Sequence, residues 1–103
     1  MDNNRLLLAL EKAIKDINRE IINPAFEDLA IEGLDPVINL TARARSDYLK
    51  ELFAIAQEFP DSQPPEERIN ALRTHRLCYQ ELVSASQALE TAIERNYLDV
   101  STP

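Results

Sequence analysis

Glycine occurs once in this chain of 103 residues, at Gly33. Tight hairpins and barrel corners rely on glycine, because it enters positive φ without steric penalty. A nearly glycine-free chain therefore argues against an all-β fold. The same scarcity excludes the glycine-rich loops that cradle phosphates, and with them dinucleotide fingerprints and P-loops. Proline supplies the punctuation instead. Between the breaks at Pro24, Pro36, Pro60 and Pro64-Pro65 the apolar residues recur with helical period.

The first segment spans Asp2 to Ile22. Leu6, Leu10, Ala13, Ile14, Ile17 and Ile21 recur at steps of three and four, with Leu7 and Leu8 widening the stripe. Asp2 or Asn3 can cap it, and Glu11 with Lys15 and Lys12 with Asp16 stand four apart on the polar face. The second segment is short, Pro24 to Glu32. Asn23 is its expected N-cap, with Pro24 at the first helical position, where the missing N–H costs nothing. Gly33 is expected in a left-handed conformation, folding Leu34 back onto Leu29 in a Schellman ending. Asp35 and Pro36 repeat the capping device for a third segment reaching Phe59. A turn of Pro, Asp, Ser and Gln follows. The fourth segment then runs from Pro64 or Pro65 to Leu98, with Glu66 and Glu67 favoured by the helix dipole in its first turn.

These lengths predict an all-α fold, an antiparallel bundle of three long helices plus a short corner helix after the first. The short turn near residue 62 makes the third and fourth segments antiparallel neighbours, with Leu72 near Leu52 and Leu89 near Asp35. Residues 1–98 are expected to form one domain, and 99–103 to fray.

Eighteen acidic residues face eleven basic ones, a formal net charge of -7. No third of the chain is net basic, which argues against nucleic acid and against anionic membrane surfaces as partners. A basic protein partner fits that charge. The apolar run Leu6 to Leu10 is too short for a signal peptide, and a lone cysteine gives no reason to expect an oxidising compartment. The expected location is the cytoplasm.

Chemistry-bearing residues are few. His75 and Cys78 are each unique and share a helix face, yet a closed zinc site needs four ligands. Cys78 reads as a small buried thiol, and neither metal nor cofactor is expected. The run His75-Arg76-Leu77-Cys78-Tyr79 resembles the His-x-x-Lys-Gly motif of histidine-phosphotransfer domains in its histidine. Cys78 stands for the lysine, and the bulky Tyr79 stands where glycine would allow close approach. His75 and Arg76 also interrupt the apolar stripe, making a polar notch with Arg73 outside it and Glu51 opposite. An ion pair of Glu51 with Arg76 or His75 is expected there. The other reading is an anion pocket formed by Arg73, Arg76 and Arg45. Ser84 and Ser86 lie mid-helix, away from any nucleophile turn, so an enzyme is not expected.

The third segment carries more apolar residues than one neighbouring helix covers. Ile38, Leu49, Phe53 and Ala56 form a line beside the main stripe. Such surplus points to a second chain and predicts a non-enzymatic protein acting through protein–protein contact as a homodimer. A phosphorelay or ligand-sensing bundle centred on His75 is the alternative.

Overall fold

The computed structural model describes residues 2–102. Three long helices carry the chain: α1 (Asn3–Ile22), α2 (Asp35–Glu58) and α3 (Glu66–Glu94). The fold is all-α, as the glycine count and periodicity predict. Two compact units divide the residues. One holds those up to Leu34 and from Ala88 on, and the other holds Asp35–Gln87.

The second unit is a helical hairpin. Along α2 the residues Thr41, Arg45 and Glu51 meet Ser86, Tyr79 and Arg68 of α3, so the partners descend as α2 ascends. The two helices are therefore antiparallel, in the register that places Leu72 near Leu52. Ala44 and Ile55 are its buried residues. Ala44 leaves room for close approach, and the hydroxyls of Thr41 and Ser86 share a hydrogen bond of 3.2 Å. The rings of Tyr48 and Tyr79 stand 6.1 Å apart. α3 starts after Pro65, whose carbonyl accepts from the N–H groups of Arg68 and Ile69.

The first unit departs from expectation in three places. The corner helix is absent as such. Two 3-10 turns, Asn23–Phe26 and Ile31–Leu34, take its place, with Asp28 between them in the left-handed region at φ 59°. Asn23 does not cap this corner. It stays helical at the end of α1, donating its N–H to the Arg19 carbonyl, and its side chain accepts instead from the Asp99 N–H at 2.9 Å.

The Schellman ending also lies elsewhere. Gly33 does not have positive φ. What it provides is clearance, since a Cβ there would meet Leu29 Cδ1 at 2.8 Å. The left-handed residue is Asn96, at φ 64°. Tyr97 donates to the Ala92 carbonyl at 2.8 Å and Asn96 to that of Ile93 at 3.1 Å, the paired bonds that define a Schellman cap. This cap stops α3 at Glu94, short of the predicted Leu98.

The chain then reverses, and the segment expected to fray is tied down. Arg19 grips the Asp99 carboxylate with both terminal guanidinium nitrogens, at 2.6 and 3.2 Å, and also donates to the Asn96 carbonyl at 2.8 Å. Ser101 exchanges backbone bonds with Leu29 and Ile31, forming a bridge alongside Ala30. Pro103, the last residue of that expected tail, lies outside the described residues. The reversal buries Ala92, Tyr97 and Leu98 against Ile22, Leu29, Leu89, Ile93 and Val100, and this cluster is the core of the unit.

Candidate interaction surfaces

α2 presents two sides. The one carrying Ala44 and Ile55 is buried. Ile38, Leu49, Phe53 and Ala56 fall together on another side, because steps of three, four, seven and eleven return to the same helix face. The structure places all four at the surface, with Ile38 63% and Phe53 64% exposed. Ala42, Leu49 and Phe53 border a shallow open depression of about 540 Å³ whose rim carries Arg45 and Lys50.

The polar notch is assembled differently from expectation. Glu51 pairs with Arg68, at 3.6 Å, and not with Arg76 or His75. Arg68 also pairs with Glu58 and lies over the Phe59 ring, 5.7 Å from its centre. Both carboxylates favour the charged form of Arg68, the Glu58 hydrogen bond most strongly, and raise its pKa. Arg68 is about two turns nearer the loop than the predicted partners, and its side chain is only 27% exposed where it meets Glu51. Arg73 donates to Asn70 on its own helix, at 2.7 Å. Arg45 bonds the Tyr79 hydroxyl at 3.1 Å and covers the Tyr79 ring. The three arginines of the anion-pocket reading are thus not gathered: Arg73 and Arg76 border a hollow with Tyr48, and Arg45 is absent from it. His75 is half-buried and Arg76 exposed. Cys78 is exposed, which corrects its reading as a buried filler.

α1 provides a further apolar surface. At about 100° per residue, Leu6, Leu7, Leu10, Ala13, Ile14, Ile17 and Ile21 occupy an arc of roughly 120°. The helix buries none of its residues, and the six large side chains of this arc are 41–69% exposed. Arg19, Ile22 and Asn23, which anchor the helix to its own unit, project from the opposite side. Lys12 pairs with Asp16 at 2.6 Å on that polar side.

The clasp between Arg19 and Asp99 was not foreseen. Its partners stand 80 residues apart, and no local pattern marks them. Its charge pairing holds the Asp99 carboxyl below the ordinary carboxylate value, the Arg19 hydrogen bond being the main cause. Among the described residues, no three His, Cys, Asp or Glu side chains are arranged to hold a metal ion, and no helix is long and apolar enough to cross a membrane. No protein-family model matches the chain, and no curated protein or solved structure is significantly similar to it.

Proposed function

We propose that this chain is a non-enzymatic interaction protein, an adaptor, chaperone-like partner or regulator that also associates with itself. The observation that carries this reading is the line of Ile38, Leu49, Phe53 and Ala56 on α2. It sets a large exposed aromatic side chain on one helix face with aliphatic neighbours, and at Leu49 and Phe53 it borders the cations Arg45 and Lys50. Apolar strips bordered by polar residues are a common form of partner-binding surface, and a buried aromatic anchor dominates their energetics. An amphipathic helix of a partner suits the strip in length and shape. The chain's charge of -7 steers a basic protein towards it, and Arg45 and Lys50 select carboxylates at the strip itself.

The experiment is partner capture from the native host with the wild type and with Phe53→Asp. A charge placed in the strip is expected to abolish capture while helicity stays unchanged. Equal recovery by both proteins overturns the reading. His75→Ala is expected to leave capture intact, since His75 lies outside the strip. Loss of capture in that variant alone supports the His75-centred alternative.

A further inference from the structure

The apolar arc of α1 contains a stricter pattern. Leu7, Leu10, Ile14, Ile17 and Ile21 follow one another at steps of three, four, three and four, the a/d rhythm of a coiled-coil seam. The seam runs about 21 Å along the axis, and all five side chains are exposed. β-branched isoleucine at two of the three a positions and leucine at one of the two d positions favour two strands.

Three further features say what covers it. First, the unit grips α1 from the side away from the seam, through Arg19, Ile22 and Asn23, and leaves the seam free. Second, the flanking positions accept a second copy in either direction. In a parallel pair Leu6 faces Glu11 and Ala13 faces Asn18. In an antiparallel pair Glu11 faces Asn18 and Ala13 faces Glu20. Neither arrangement sets like charges together. Third, α1 carries four cations and three carboxylates, whereas the rest of the chain carries seven cations and fifteen carboxylates. Two copies of this acidic chain repel one another least when they meet through α1.

We propose that α1 pairs with α1 of a second copy of this chain in a short two-stranded coiled coil. This gives the self-association of the function proposed above a location, and it leaves the α2 strip available to a different partner. A seam of this length covers less area than most permanent dimers, so the pairing is reversible and depends on concentration.

Sedimentation of the full chain from micromolar to millimolar concentration tests it. The wild-type mass is expected to double over that range. Ile14→Asp is expected to stay at one copy. Leu8→Ser, which alters an exposed leucine off the seam, and Phe53→Asp are both expected to behave as wild type. Because Ile14→Asp can also weaken α1 itself, oxidation in a Cys78→Ser background gives a second readout. Ile14→Cys is expected to crosslink with itself in a parallel pair, or with Ile17→Cys in an antiparallel one, and crosslinking in neither mixture overturns the proposal. It is also overturned if the wild type remains at one copy throughout. Retention of the dimer in Ile14→Asp with its loss in Phe53→Asp moves the interface to α2 and overturns it too. So does a wild type that stays single but binds phosphatidylglycerol vesicles. Loss of partner capture is read separately, so the proposed function can fail while the dimer stands.

Discussion

α1 and the stretch from the last turn of α3 onward belong to the same unit and treat apolar side chains in opposite ways. α1 gathers six large aliphatic residues on one arc and buries none of them. From Ala92 to Val100 the chain buries Ala92, Tyr97 and Leu98 and draws Ile22 and Leu29 onto them. The contrast is geometric. A straight helix presents a long stripe, and only something equally long can cover it. A chain reversed by a left-handed residue brings three sequence-distant segments to one point, where few side chains enclose one another. Density of apolar residues along a helix therefore says little about burial, whereas a reversal says much.

Substitutions in the two regions sharpen this contrast. Leu98→Ala, at a residue 3% exposed, is expected to cost about 3 kcal/mol in urea unfolding, from lost transfer energy and the cavity left behind. Ile17→Ala, 55% exposed, is expected to change stability by less than about 0.5 kcal/mol at concentrations where the protein is single. Similar losses in both variants would break the contrast. The reversal itself is next in size. Asn96→Ala places a methyl-bearing residue at φ 64° and is expected to cost about 1 kcal/mol, while Asn96→Gly restores or exceeds wild-type stability in the same assay.

The smallest effect concerns the clasp. The Asp99 carboxyl is lowered from its ordinary value of 3.8, first by the Arg19 hydrogen bond and then by its charge. A carboxylate lowered on folding adds stability above its unfolded value and loses it as pH falls through the folded value. Amide exchange at Ser101 and Ile31 is therefore expected to accelerate only below about pH 3.8, relative to amides within α2. Asp99→Asn is expected to remove that acid step and raise exchange modestly at neutral pH.

The parts of the fold that the sequence made legible are those governed by neighbours along the chain. Asp2 accepts from the Asn4 N–H, Lys12 meets Asp16, and Pro36 and Pro65 stand at the starts of α2 and α3. The α2–α3 register also followed from a short loop. The line of Ile38, Leu49, Phe53 and Ala56 was readable as one face, because helical spacing fixes which residues lie together. The partners of Glu51, Asn23 and Asp99 were not readable. Several candidates of like charge or like hydrogen-bonding capacity compete for each, and only the tertiary arrangement decides among them. Gly33 and Asn96 show the same limit. Both residue types tolerate a left-handed conformation, yet Asn96 adopts it while Gly33 instead gives clearance to Leu29.

By itself the sequence determined that the chain is helical, where its long helices begin, and which faces are apolar, because propensity, capping and periodicity act over a few residues. Only the tertiary structure decided which apolar faces are buried. Burial requires two surfaces of matching shape to meet, and residues as distant as Arg19 and Asp99 set where that happens.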